Sequence, residues 1–234
     1  MRHPLADTYA EGRQRLLQLA AELSDAEAAT RSTACPEWSV KDIYAHLAGI
    51  ATDILAGNTS EAATPRWADG HVADRRDRSL AEVVEEWTDG GRQVSELVEK
   101  VGEGFPLQLF VDQWTHEWDV RSAFGDRAAA QPDTTTFDHY LDDFGRIMAD
   151  DDRSQGLPHQ TIDVGGRSPG FGDGPDAGTI PMSSFEFGRI STGRRSMAQL
   201  SLLDWPVPDP RPHLDVLVRW SVADRDVIDP VVGA

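Results

Sequence analysis

The sequence predicts a mainly α-helical protein, with a helical bundle over residues 1–150 and a small α+β domain over residues 151–234. Five segments in the first part carry apolar residues at helical spacing, with polar residues between them. After Ala149 the composition changes, and residues 150–181 are rich in Gly, Pro and Asp, as is typical of loops and short strands. A chain of 234 residues is long enough to bury a substantial core.

The first bundle helix is expected over residues 5–30, where Leu and Tyr residues recur at helical spacing. The second helix has a well-marked start, because Ser39 is a good N-cap and Asp42 stands at the third helical position. It is expected to end at Gly57. The polar residues 58–78 predict a loop.

Three further helices complete the predicted bundle. The third covers residues 79–101, although its Gly90-Gly91 pair weakens the helical pattern. The fourth runs over residues 106–124, and a shorter fifth over residues 136–148.

The second domain is predicted to mix short strands and helices. Residues 160–164 form a candidate strand, Ser183 begins a helix that stops at Gly193, and Ser196 begins another. Residues 214–222 alternate between apolar and other residues, which predicts a strand. Its apolar face would comprise Leu214, Val216, Val218, Trp220 and Val222.

The charge balance and the single cysteine indicate which partners and which cellular location to expect. With 40 Asp and Glu against 22 Lys and Arg, the net charge of −18 disfavours nucleic-acid binding. No apolar run approaches the ~20 residues that span a bilayer, and no early segment resembles a signal peptide. Cys35, the single cysteine, excludes an internal disulfide. We expect a cytoplasmic protein without membrane or nucleic-acid partners.

Three side chains suggest a metal site. His46 lies in the middle of the second helix, and Asp112 and His116 are four residues apart on the fourth helix, so that both point the same way. Two ligands at that spacing and one from a facing helix make a three-ligand site with open positions. Asp119, on the same side, is expected to hold an imidazole N–H. The alternative is that Asp-x-x-x-His arises by chance in an ordinary helix.

Three segments, in the same order along the chain, resemble one known family. They are residues 34–42 (Ala-Cys-Pro-Glu-Trp-Ser-Val-Lys-Asp) with His46-Leu47 after them, residues 116–121 (His-Glu-Trp-Asp-Val-Arg), and residues 192–196 (Thr-Gly-Arg-Arg-Ser). The first two together are the more specific. This pattern resembles the mycothiol-dependent maleylpyruvate isomerase family, whose N-terminal domain is a DinB-like, up-down, metal-binding helical bundle.

The resemblance implies a function as well as a fold. It implies that His46, Asp112 and His116 hold a divalent metal, with zinc expected, and that mycothiol is the thiol cofactor. The expected activity is a mycothiol-using isomerase or thiol S-transferase that acts on a small electrophilic substrate. The alternative is a bundle that binds metal without turnover, as a sensor or scaffold.

The acidic ligand departs from the resembled isomerase, which usually carries Glu where this chain has Asp112. The shorter side chain reaches about an ångström less, which is large against the ±0.2 Å tolerance of ligand bonds. Either the helix lies closer to the metal, or a water bridges the two, or the metal binds weakly.

Other residues carry weaker indications. Arg194 and Arg195 could clamp a substrate carboxylate as a fork, and Arg194 is the candidate catalytic residue, against the alternative that it merely faces solvent. Cys35 has no evident base partner and is expected to be buried and structural. The remaining histidines are expected to be ordinary residues: His3, His71, His139, His159 and His213.

Overall fold

The computed structural model describes residues 3–219 and 221–232, except for the side chains of residues 138, 139 and 142. The chain divides into two compact units, Met1–Ala129 and Ala130–Ala234. In its described residues the first unit has only helices as regular elements, whereas the second combines helices with a small sheet. The predicted fold class is therefore confirmed.

The first unit is built around one central helix. Its described α-helices are α1 (Pro4–Ala21), α2 (Asp25–Ala28), α3 (Val40–Ala56), α4 (Pro65–Asp74), α5 (Leu80–Val101) and α6 (Gln108–Ser122). Helix α3 packs against α4, α5 and α6, while α1 packs against α5 and α6. No helix among the described residues is both long and apolar enough to cross a membrane.

Local sequence explains where these helices begin and how closely they pack. Ser39 accepts a hydrogen bond from the N–H of Asp42, whose carboxylate accepts one in return, so α3 starts as predicted. Helix α5 runs unbroken through its glycine pair. A Cβ on Gly91 would lie 2.5 Å from Cδ of Arg13, so the missing side chain lets α1 and α5 approach closely.

Two predictions in the first unit were wrong. The helix expected over residues 5–30 is two helices, because Ser24 and Glu27 form a capping box that starts α2 afresh. The loop expected over residues 58–78 contains α4, which Thr64 caps and Pro65 begins. A proline at the first helical position favours a helix start as much as a turn.

The second unit holds a three-stranded sheet. Its described elements are α7 (Thr135–Ala149), β1 (His159–Val164), β2 (Gly170–Phe171), β3 (Asp176–Met182), α8 (Ser184–Ser191), α9 (Met197–Leu200) and α10 (Arg211–Leu217). Strand β1 is central, antiparallel to β2 and parallel to β3, with Ile162 opposite Ile180. The strand predicted over residues 160–164 is confirmed.

The strand predicted over residues 214–222 was wrong, since its first part is the helix α10. The buried side chains follow helical spacing (i, i+1, i+3, i+4) and do not alternate: His213, Leu214, Val216 and Leu217. Trp220 lies outside the described residues. The predicted domain boundary is at residue 150, whereas the first compact unit ends at Ala129.

Candidate metal centre

Helix α3 supplies His46 from its buried face. The capping box fixes the start of the helix, and the ring of His46 follows two turns later, with 4% of the residue exposed. Apolar neighbours on the same helix, including Ile43 and Leu47, are buried with it. A polar ring at such a position requires partners, because burying an unpaired polar group costs free energy.

Helix α6 supplies Asp112 and His116, one turn apart. It is buried nearly all round, and most of its polar side chains are buried as well. Glu117, for example, accepts hydrogen bonds from Arg15 and Arg121 at 3.0 Å. The pair with Arg15 holds α6 against α1, whereas the pair with Arg121 lies within α6, and together they fix the face that carries the candidate ligands.

The three predicted ligands converge. One ligand atom from each of His46, Asp112 and His116 lies within 4.8 Å of the others. The carboxylate of Asp112 lies 3.5 Å from Nε2 of His46 and 3.7 Å from Nε2 of His116. Two atoms bound at about 2.1 Å to a tetrahedral ion are roughly 3.4 Å apart, so this donor set fits a divalent metal.

The shorter acidic side chain is accommodated by the position of α6. Because Oδ2 of Asp112 lies 3.5 Å from Nε2 of His46 and Oδ1 lies 3.7 Å from Nε2 of His116, Asp112 reaches both imidazoles from its place on α6. Its side chain is 24% exposed, against 5% and 6% for the side chains of His46 and His116. The site is therefore open to solvent at the carboxylate and closed around the rings.

Asp119 contacts the second nitrogen of His116. Its Oδ2 lies 3.0 Å from Nδ1 of His116, and Asp119 itself is fully buried. Burial alone would lower the pKa of His116, but the carboxylates of Asp112 and Asp119 outweigh it and raise that pKa to about 10. A carboxylate on Nδ1 leaves Nε2 as the ligand atom, and a metal must displace the proton there.

His71, which we predicted to be an ordinary residue without matching partners, has two partners in the structure. Its Nδ1 lies 3.1 Å from Nδ1 of His46, and its Nε2 lies 3.0 Å from the carboxylate of Asp53. Burial lowers the pKa of His46, against the opposing effect of Asp112. A sequence signal did exist for Asp53, which follows His46 by seven residues and thus shares its helical face. No comparable signal indicated His71.

Two tryptophans enclose the imidazoles. The ring of Trp38 lies 5.0 Å from that of His46 and 5.9 Å from that of His116, measured between centroids. The ring of Trp67 lies 4.3 Å from that of His71. These contacts exclude water from the rings and restrict their rotation.

Cys35 is not the isolated, buried residue that we predicted. It is half-buried, and its thiol donates a hydrogen bond to Oδ2 of Asp119 at 3.4 Å. Cys35, His116 and Asp119 form a second group whose ligand atoms lie within 4.8 Å of one another. The thiol is therefore linked to the candidate centre by Asp119, whose Oδ2 contacts both Cys35 and His116.

Arg194 and Arg195 belong to the second unit and differ in their surroundings. Arg195 is buried and forms ion pairs with Glu186 at 2.7 Å and Asp229 at 2.8 Å, which gives it a structural role. Arg194 is half-buried, and its guanidinium donates a hydrogen bond to the carbonyl of Thr192 at 2.6 Å. Its part in catalysis stays a prediction.

Two imidazoles and a carboxylate that converge from two helices form a donor set of the kind that holds metal ions in the cores of helical bundles. The family model for the mycothiol maleylpyruvate isomerase N-terminal domain matches residues 9–138, and the chain belongs to this family. Comparisons with curated proteins and with solved structures found no match.

Proposed function

We propose that the protein is a metal-dependent enzyme that uses mycothiol to isomerise a small electrophile or to transfer the thiol to it. The observation that carries this proposal is the convergence of His46, Asp112 and His116 in a chain of this family. Imidazole nitrogen and carboxylate oxygen suit zinc, and three protein ligands leave a position for a thiol. When bound, zinc would supply the positive charge that lowers the pKa of a coordinated thiol.

The surrounding residues would orient the ligands and control access. Asp119 holds Nδ1 of His116, so the ring presents Nε2 to the centre. Trp38 covers both imidazoles, which keeps water from their faces. The partly exposed Asp112 marks the side from which a thiol and an electrophile would enter.

Mycothiol binding tests this proposal. Calorimetry should detect mycothiol binding to the zinc-loaded protein and not to the chelator-treated protein, with release of a proton. The His116→Ala variant serves as a metal-site control and should not respond to added zinc. Equal mycothiol affinity with and without zinc would contradict the thiol mechanism. Zinc binding without any thiol conjugation or isomerisation would favour the non-catalytic alternative.

The proposed role of Arg194 is to orient an acidic substrate. If it holds, Arg194→Ala should raise KM for a carboxylated electrophile and leave KM for an uncharged one unchanged, because only the former has an anion to pair. An equal effect on both substrates would show that Arg194 stabilises the fold instead.

A further inference from the structure

A second histidine–carboxylate pair lies behind His46, away from the converging ligand atoms. Nδ1 of His71 faces Nδ1 of His46 at 3.1 Å, and Nε2 of His71 faces Oδ2 of Asp53 at 3.0 Å. The residue His71 is 5% exposed, and the side chain of Asp53 is 17% exposed. The three groups form one chain of hydrogen bonds that ends at the candidate ligand His46.

The packing around His71 is specific to this arrangement. A Cβ on Gly49 would lie 2.2 Å from Cγ of His71, so the ring fits only because residue 49 has no side chain. On another side, the ring of Trp67 contacts that of His71. Arg75 donates a hydrogen bond at 3.1 Å to the carbonyl of His71, which fixes the backbone as well.

The position of each proton in this series of hydrogen bonds follows from which atoms can only accept. The ionised carboxylate of Asp53 can only accept, so Nε2 of His71 carries a proton. In a neutral imidazole the other nitrogen carries the lone pair, so Nδ1 of His71 accepts a hydrogen bond from the N–H at Nδ1 of His46. The proton of a neutral His46 then resides on Nδ1, and the lone pair on Nε2 faces Asp112 and the candidate centre.

We propose that Asp53 and His71 are positioning residues that hold His46 in its Nδ1–H tautomer and thereby present Nε2 as a metal ligand. This inference rests on the proposed metal site and adds two residues that orient one of its ligands. Asp119 performs the same task for His116 in a single step. The two imidazoles would thus each be oriented by a carboxylate, one directly and the other through His71.

Asp53→Asn is the sharpest test, because it keeps the shape of the side chain and reverses the direction of the hydrogen bonds from residue 53 through His71 to His46. Asn58 donates from Nδ2 to Oδ1 of Asp53 at 3.1 Å, so the carbonyl of the new side chain should face Asn58. Its amide N–H₂ would then donate to Nε2 of His71. Nδ1 of His71 would in turn donate to His46, which moves the His46 proton to Nε2, the wrong nitrogen for a ligand.

Zinc affinity, measured by competition with a chromophoric chelator, gives the first readout. We expect Asp53→Asn to bind zinc about 10- to 100-fold more weakly, the range for lost outer partners of a metal ligand. Asp89→Asn, an exposed carboxylate on α5, is the control for lost charge and should bind zinc as the wild type does. An Asp53→Asn affinity equal to that of the control would overturn the inference.

Substitutions of His71 separate hydrogen bonding from packing. In His71→Asn the carbonyl oxygen can stand near the position of Nδ1 and accept from His46, whereas His71→Leu offers no acceptor. We expect His71→Asn to retain more zinc affinity than His71→Leu, at comparable melting temperatures of the metal-free proteins. Equal losses in the two variants would show that His71 only fills space, and would overturn its role as acceptor.

The tautomer itself is the readout that does not depend on zinc. Nitrogen-15 chemical shifts of the His46 ring in the metal-free protein should show the proton on Nδ1 in the wild type and on Nε2 in Asp53→Asn. Asp112, near Nε2 of His46, favours a proton on Nε2. The wild-type result therefore shows whether Asp112 or Asp53 determines the tautomer of His46. An unchanged tautomer would overturn the inference. Failure of the wild type to bind zinc would instead overturn the proposed function, and the nitrogen-15 comparison would still decide whether Asp53 and His71 hold the tautomer.

Discussion

Asp112 is the residue at which this chain departs from the isomerase it resembles. Its oxygens lie 3.5 Å and 3.7 Å from the Nε2 atoms of His46 and His116. Of the three explanations considered for a shorter ligand, these distances support a helix that lies close to the centre. The charge of Asp112 matters as much as its reach, because two neutral imidazoles alone bind a divalent ion less strongly.

Replacing Asp112 tests both properties. Asp112→Asn should weaken zinc binding by roughly tenfold or more, since the carboxylate charge is lost. Asp112→Glu should retain zinc, because its carboxylate can reach the same space from a longer and more flexible side chain. Titration against a competing chelator measures both, with Asp89→Asn again as the charge control. Loss of zinc in the Glu variant alone would show that α6 is fitted to the shorter side chain.

The sequence predicted the convergence of three ligands but not the residues that orient them. The spacing of Asp112 and His116, together with the family resemblance around His46, was enough to predict that the three side chains converge. His71 was missed because it stands among polar residues that lack a clear helical pattern. The ring of His71 fits against α3 because Gly49 has no side chain there. No pattern of residue types in the sequence reveals such a fit.

Helices α3 and α4 pack closely where Gly49 faces His71. We expect Gly49→Ala to destabilise the protein by about 1–3 kcal/mol, because the added methyl group displaces the ring and α4 with it. Gly70→Ala, one residue from His71 in α4, is a matched control with open space at its Cβ. It should be neutral or stabilising by up to about 1 kcal/mol. Urea denaturation of the metal-free proteins compares the two. Equal stability would contradict the close packing.

Helix α2 makes a prediction about pH. Hydrogen bonds from Ser24 and Arg127 lower the pKa of Glu27 to about 2, from 4.5. Because the folded pKa is depressed, the stabilisation is present above about pH 4.5 and is lost as the pH falls through about 2. Glu27→Gln should therefore flatten the dependence of unfolding free energy on pH in that window. An unchanged pH dependence would contradict the assignment.

Predictability of the elements followed the clarity of their end signals. Helix α3 was predicted because Ser39 and Asp42 form a recognisable capping box. The same type of signal at Ser24 lies inside a long apolar pattern, and that pattern predicts one helix where the structure has two. Helix α10 lies where a strand was predicted, because a short apolar run fits both periods and tertiary packing decides between them.

The net charge of −18 bears on any metal measurement made on the whole molecule. A strongly acidic surface attracts divalent cations weakly and without a defined site. Substitution of a buried histidine leaves the count of carboxylates unchanged, so surface binding should be the same in wild type and variant. The difference between them reports the candidate centre alone.

Metal removal should also lower the stability of the folded protein. Zinc at 100 times its dissociation constant adds about 2.7 kcal/mol to a protein that binds it only when folded. For a chain of this size that corresponds to a rise of roughly 5–10 °C in Tm. Differential scanning calorimetry with zinc and with chelator measures the shift. A His116→Ala protein that showed the same shift would place the responsible zinc elsewhere.

Elemental analysis of protein purified without added metal tests the central claim most directly. The wild type should contain about one divalent ion per chain, because two helices supply three ligands that converge. The His116→Ala variant should contain almost none, whereas His3→Asn, which replaces the histidine that caps α1 with another good cap, should match the wild type. Full metal occupancy in His116→Ala would contradict the assignment of the site.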